Sequence, residues 1–405
     1  MALLVLSWEV VVALGAEKDI KIGCLFPTTG RAGRYGLDAM EAAKMAAEEI
    51  NNKGGVLGKK IELLFTDEKP DPTFCVRVAK RYILEDKVNF LMGVVSSAVG
   101  LAVTEVSKEH KVIFVGTSHA TTKTSVENWH PYYFRIGANT ITGMRSGALF
   151  AEKKPWKKYY YIGPDYEYGQ VQWTDFWPFL KKLRPDVEGV GESWPKLYEP
   201  DYTPYITAIM RGNPDVLVSG LWGGDTVAFI KQAEPYGLFN KMDYFHPDVG
   251  GNYEVFEALG EKMPKGLIMG THHHLNWPDT DLNKEYVKKF RDKVGHYPIT
   301  IGANSYVGVY FITKAIEEAG SVDNVEALVK AMEGIKIRTP LDPPGYTSWM
   351  RPLTHDIMQW RAIGVTEPND KYPPAKYMLG KWIVFPPEKI IPSDKEVMEL
   401  RTKRK

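Results

Sequence analysis

The sequence predicts an α/β protein of two lobes, each built on a doubly wound parallel sheet. Three observations carry this. Short apolar runs alternate with longer amphipathic stretches from residue 20 to about residue 270. The first unit, residues 20–66, reads strand, glycine-spaced loop, helix, strand, a βαβ crossover that makes its strands parallel and its connection right-handed. The chain has 405 residues, more than one ordinary core accommodates, and the alternation breaks near residue 138 and begins afresh.

In order, residues 20–26 form an apolar strand followed by the polar loop 28–36. Ala39, Met40, Ala43, Ala47 and Ile50 then recur at helical spacing, and Asn51, Asn52, Gly54 and Gly55 end that helix. The pattern predicts strands over 61–66, 90–95, 112–116 and 133–136, with helices over 76–83 and 100–109 between them. A second series places helices over 144–152, 171–183, 203–211 and 226–232, and strands over 159–162, 189–193, 216–219, 244–245 and 267–269. Helices over 282–293, 303–319 and 325–332 follow. Residues 340–392, rich in Pro, Trp and Tyr, read as irregular strands and loops wrapped on a lobe.

Lys+Arg number 51 and Asp+Glu 50, a net charge of +1, so no basic excess points to nucleic acid or an anionic membrane. Residues 3–16 are apolar apart from Ser7 and Glu9 and close on small residues. They are too short to span a bilayer and read as the remnant of a signal peptide over 1–16, which implies export. No other window reaches membrane-spanning length, so the mature protein is expected to be soluble. The two cysteines, Cys24 in the first strand and Cys75 at the start of a helix, read as buried thiols.

Ligands of open parallel sheets bind outside the carboxyl ends of the strands, so the residues that follow each strand matter most. In the first lobe these include Ser96 and Ser97, then His119, Ala120 and Thr121. Hydroxyls and helix-start N–H groups suit a carboxylate or another small oxyanion. In the second lobe they include Tyr168, Trp222 and Asp248. A carboxylate suits an ammonium or amide N–H, and aromatic rings wall off an apolar body. Singly, each residue reads as a cap, a turn or core; their convergence on five strand ends points to a zwitterion clamped between lobes.

At these residues the chain resembles the type I periplasmic substrate-binding proteins, in particular the branched-chain amino acid (leucine/isoleucine/valine) binding family of ABC importers. The markers are IKIGCLFPTTGRAGRYG, AAEEINNKGGVLGKKIELLFTDEKPDP, Gly93 with the Ser96–Ser97 pair, TSHAT and DYEYG, within residues 20–339. The resemblance implies two lobes joined by a three-strand hinge, with crossings near 137–139, 269–271 and 338–340. Lobe 1 is then 19–138 plus 271–338, and lobe 2 is 139–270 plus 339–405 with the tail wrapped on it. It implies that Ser97 holds a ligand carboxylate, that Thr121 and the backbone at His119 touch the same head group, and that Tyr35 and Tyr168 line the cleft. Trp222 stands where a cleft tyrosine is usual, and Asp248 where a glutamate takes the ammonium. The implied partners are a small ligand and a membrane permease, for a monomer in the periplasm or outside the cell.

Gly30, Gly33 and Gly36 match neither G-x-G-x-x-G nor a P-loop, so a nucleotide is not expected. His272, His273 and His274 are consecutive and point to alternate faces, which argues against a metal site. No catalytic serine motif appears, and no cofactor is implied. The expected function is non-enzymatic capture of a branched-chain or related amino acid, or an amide, for an importer. The alternatives are a ligand-sensing regulator of the same fold, or a binder of aromatic or aliphatic carboxylic acids.

Overall fold

The computed structural model describes residues 19–137 and 139–402; the expected signal peptide over 1–16 lies outside the described residues. The first sheet comes from β1 (Ile20–Phe26), β2 (Ile61–Asp67), β3 (Phe90–Gly93), β4 (Ile113–Gly116) and β5 (Tyr133–Arg135). Between them run α1 (Gly33–Asn52), α2 (Pro72–Leu84) and α3 (Ser97–His110). The strand order is β2-β1-β3-β4-β5 and every pairing is parallel.

The second series runs α4 (Thr140–Glu152), β6 (Lys158–Ile162), α5 (Glu167–Leu183), β7 (Glu188–Ser193), α6 (Thr203–Gly212) and β8 (Val216–Ser219). It continues with α7 (Gly223–Ala233), α8 (Leu238–Lys241), β9 (Asp243–His246), α9 (Tyr253–Leu259) and β10 (Ile268–Thr271). Its parallel strands lie in the order β7-β6-β8-β9-β10, the same relative order as in the first sheet. Each sheet therefore reverses direction beside its own first strand, and that switch point is where such sheets bind ligands.

The chain then returns to the first lobe. The helices α10 (Asp281–Val294), α11 (Thr300–Ala319) and α12 (Val325–Met332) follow, and α11 lies along α1. Small residues make that approach possible: Ala39, Ala42, Ala43, Ala46 and Ala47 of α1 are all buried in the seam. In β1, Ile20, Ile22, Cys24 and Phe26 face this layer, whereas Leu25 faces Cys75 and Tyr82 of α2. Cys24 and Cys75 thus sit in separate core clusters, and both are free and buried. Burial pushes the Cys75 thiol up to about 12.

The tail differs from its sequence reading. β11 (Lys336–Ile337), β12 (Ser348–Met350) and β13 (Ile357–Met358) form a small antiparallel sheet. Asp356 bridges to Arg135 at the edge of the first sheet, and the His355 ring stacks on Phe134 at 4.1 Å. Residues up to 358 therefore stay with lobe 1, and the third crossing falls at Gln359 and Trp360 instead of near 338–340. Only then do β14 (Arg361–Pro368) and β15 (Tyr377–Phe385) join the second sheet, as an antiparallel edge beside β10. Two short helices, α13 (Pro387–Ile390) and α14 (Asp394–Thr402), end the described chain. Arg145 of α4 pairs with Glu396, and Arg401 donates to the carbonyls of Val126 and Leu353, so α14 touches both lobes. The tail does not wrap on lobe 2 alone.

Candidate functional site

The carboxyl ends of both sheets meet around one cavity of about 40 Å³. Val95 after β3, and Ser118 and Ala120 after β4, come from the first lobe. Tyr166 and Tyr168 after β6, Trp222 after β8, and Val249 and Asn252 after β9 come from the second. Tyr35 of α1 and Ile301 of α11 close the sides. The walls are aromatic and apolar, and Tyr35 meets Trp222 edge to face at 5.3 Å. Three buried polar atoms at the wall have no hydrogen-bond partner: Ser118 Oγ, Trp222 Nε1 and Asn252 Oδ1. Buried polar groups are normally satisfied, so this set marks where a ligand or water completes the bonding.

A wider space of about 190 Å³ adjoins the cavity and shares Val95, Tyr166 and Trp222 with it. Arg31, Glu68, Lys69, Ser96 and Tyr198 line this outer part. The lobes are tied across both spaces. The Tyr35 hydroxyl donates to Glu254 Oε1 at 2.6 Å, and Asn252 Nδ2 donates to it at 3.3 Å. Arg31 pairs with Asp225 at 2.9 Å, and Lys123 with Glu167 at 2.9 Å. Thr122 donates to Asp175 at 3.1 Å. Burial pushes the Glu254 carboxyl up to about 7, despite the Tyr35 hydroxyl that favours its charged form.

Of the residues singled out by sequence, Tyr35, Ala120, Tyr168 and Trp222 line the cavity, and Ser96 lines the outer space. Ser97 is buried behind the wall, where its hydroxyl accepts from the Thr121 N–H at 3.3 Å. Thr121 turns its hydroxyl to Glu167 at 2.7 Å and so bridges the lobes. The Ser96 and Val95 N–H groups donate to the buried Glu68 carboxyl at 2.8 and 2.7 Å. Burial pushes that carboxyl up to about 8.

Two expectations are corrected. The His119 ring points into the first lobe, stacks on Phe114 at 5.5 Å and meets the Tyr133 hydroxyl at 2.8 Å. Its backbone is also engaged: the N–H donates to Val94 O at 2.9 Å, and the carbonyl accepts from Arg135 at 2.7 Å. Asp248 does not reach the cavity. It is fully buried, receives the Tyr168 hydroxyl at 2.9 Å and forms an ion pair with Arg361. The three consecutive histidines each have their own asparagine: His272 with Asn304, His273 with Asn283 and His274 with Asn276.

Ser118, Tyr166, Val249 and Asn252 lie inside or just after segments the strand ends had marked, so proximity in sequence could have found them. Ile301 and Arg361 open no loop after a parallel strand, and Glu254 lies inside the helix that follows β9, so no local signal announces them.

Comparison with known proteins agrees with this geometry. Residues 19–363 match the family described as periplasmic binding protein. The chain is 24% identical over 338 residues to the leucine-, isoleucine-, valine-, threonine- and alanine-binding protein of Pseudomonas aeruginosa, covering 82% of this chain and 86% of that one. Among solved structures it resembles a periplasmic binding protein of Burkholderia mallei, with a TM-score of 0.83 and 20% identity over 93% of this chain and 97% of that one. It also resembles a solute-binding protein of an ABC transporter from Rhodopseudomonas palustris, solved with 3,4-dihydroxybenzoic acid. There the TM-score is 0.80 and the identity 23%, over 92% and 99% of the two chains.

Proposed function

Because the chain belongs to the periplasmic binding protein family, we propose that it is the extracytoplasmic solute-binding component of an ABC importer. It captures a small ligand between its lobes and presents it to a membrane permease. It acts as a monomer, without catalysis and without nucleic acid. The observation that carries this is the interlobe cavity at both switch points, with orphan polar atoms contributed by each lobe. Neither lobe holds a complete site, so binding favours the form in which the lobes meet, by hinge motion. The lobes are residues 19–137 plus 271–358, and 139–270 plus 361–385.

The named relative from Pseudomonas aeruginosa, which binds leucine, isoleucine, valine, threonine and alanine, supports a small neutral amino acid as ligand. A second reading, a small carboxylic acid with an aromatic or aliphatic body, is favoured by one feature of the site. The only strand-end carboxylate expected to receive an ammonium, Asp248, is already paired with Arg361. Four aromatic side chains, Tyr35, Tyr166, Tyr168 and Trp222, wall the cavity. Ser118 and Trp222 offer donors and Asn252 an acceptor, which a hydroxylated acid or an amide satisfies at once.

Mass spectrometry of the small molecule released on denaturing the purified protein tests this reading, together with scattering before and after it is added back. The expected result is an organic acid, amide or amino acid that lowers the radius of gyration at saturation. A protein that binds no small molecule, or keeps the same radius of gyration when saturated, argues against it. Retention of residues 1–16 in the mature protein would favour the regulator instead.

A further inference from the structure

Arg361 opens β14, immediately after the third hinge crossing, and its side chain is 2% exposed. It enters a buried pocket where little opposes its charge. Nη2 donates to the carboxylate and the main-chain carbonyl of Asp248. Nη1 reaches only His272 Nδ1 at 3.3 Å, and Nε has no partner. Burial and the guanidinium itself hold His272 well below its usual range, so that ring is neutral and does not share the charge. Asp248 is therefore the one anion matched to Arg361.

The pair is built into the hinge end of lobe 2. A Cβ on Gly143 of α4 would lie 2.4 Å from both Arg361 Nη2 and Asp248 Oδ1, so the helix passes directly over the pair. On its other side, Asp248 Oδ2 receives the hydroxyl of Tyr168, whose ring forms the cavity wall. The carboxylate thus sits one hydrogen bond behind that wall. Alone in so dry a place, its charge would act strongly on any cation in the cavity. Paired with a guanidinium, it presents no net charge there. Two other carboxyls near the wall are buried and already bonded: Glu254 receives the Tyr35 hydroxyl, and Glu68 receives the Val95 and Ser96 N–H groups.

We infer that Arg361 is a specificity-determining residue, which by cancelling Asp248 from behind the Tyr168 wall turns the cavity away from ligands that carry an ammonium and toward acids or amides that do not. This rests on the solute-binding reading above. Arg361 touches no ligand; it acts through Asp248 and Tyr168.

The test is calorimetry with three probe pairs that differ only in the amino group. These are leucine and 4-methylpentanoate, phenylalanine and 3-phenylpropanoate, and tyrosine and 3-(4-hydroxyphenyl)propanoate. The parent should bind the deaminated member of its best pair at least about tenfold more tightly. Arg361→Gln exposes the Asp248 charge and should shift that ratio at least about tenfold toward the amino acid. Arg361→Lys keeps the charge and should keep the parent's ratio. Removing one partner of a buried ion pair is strongly destabilising, so Arg361→Gln alone can fail to fold. The neutral pair Asp248→Asn with Arg361→Gln leaves no buried charge and should bind with the parent's preference. A parent that prefers the amino acid overturns the inference and leaves the solute-binding reading intact. So does a folded Arg361→Gln that keeps the parent's ratio, or a neutral pair that moves toward the amino acid. A parent that binds none of the six probes overturns the inference together with the solute-binding reading for these skeletons.

Discussion

Tyr35 connects the lobes through a single hydroxyl. That group donates to Glu254 and accepts from Asn252, while the ring packs edge to face on Trp222. Both polar partners belong to the second lobe, so the bonds exist only while the lobes touch. Tyr35→Phe keeps the ring and removes the bonds. A hydrogen bond to an ionisable group contributes about 1.5–3 kcal/mol. Affinity for the co-purifying ligand should therefore fall by roughly tenfold or more, since 1.4 kcal/mol is tenfold. The unfolding midpoint of the unliganded protein should change little. An unchanged dissociation constant by calorimetry, with a lowered midpoint, would show that the hydroxyl serves the fold and not closure. Tyr35 came into view only through the family resemblance that the glycine-spaced segment after the first strand carries. Glu254 was not: it sits in the first turn of α9, where an acidic residue ordinarily complements the helix dipole at the surface. Asp248 was found, but its partner was not, because Arg361 comes from a strand more than a hundred residues away along the chain, which no local pattern links to it.

Among the elements, β1 matches its predicted bounds, since strict alternation between two buried faces leaves little freedom. The helices α1, α3, α4 and α5 begin a few residues before their apolar stripe does, because first turns are polar and take part in the cleft. The loop between β1 and α1 shows what its glycines do. A Cβ on Gly36 would lie 2.1 Å from the main-chain carbonyl oxygen of Pro27, so only glycine lets the helix pass the end of its own strand so closely. A backbone atom cannot yield as a side chain does. Gly36→Ala should therefore destabilise the protein by about 1–3 kcal/mol or more, the range for overpacking a tight contact. Urea unfolding monitored by circular dichroism reads this. A change within about 0.5 kcal/mol, the usual range of a surface substitution, would mean that the loop has slack. The tail was read least well. β14 and β15 are long, but their pairing to β10 is non-local, and the Pro, Trp and Tyr around them mask any period. The short sheet that holds residues 336–358 on lobe 1 has two- and three-residue strands, below what alternation can reveal.

The whole molecule carries an unusual load of buried titratable groups, and their balance sets its response to pH. Burial holds His119 down to about 3, and His130, His273 and His274 down to about 4. His246, His272 and His355 are lowered as well. In the unfolded chain these rings protonate near their ordinary value of about 6.5. The unfolded state therefore binds more protons in acid, and stability is lost as pH falls below that value. Five carboxyls act the other way; burial raises Asp225 and Asp342 above their ordinary range. Burial raises Glu68 to about 8, and Asp175 and Glu254 to about 7. They keep their protons in the folded protein where the unfolded chain has lost them, so the stability they contribute below about 4 is lost as pH rises through 7 to 8. Between about 4.5 and 6.5 the two sets overlap, and seven histidines outweigh five carboxyls. Above about 7 the histidines no longer contribute, and the carboxyls alone set the slope. Three of those carboxyls, Asp175, Asp225 and Glu254, also join the lobes, through Thr122, Arg31 and Tyr35. The unfolding midpoint should accordingly peak near neutral pH, fall on the acid side and fall more gently on the alkaline side. Differential scanning calorimetry across about pH 5 to 9 measures it. A midpoint highest at pH 5, or still rising at pH 9, would contradict the balance. Glu254→Gln, which cannot ionise, removes a slope that opposes the histidines between about 4.5 and 7, so it should steepen the acid arm, while Glu68 still sets the fall between about 7 and 8.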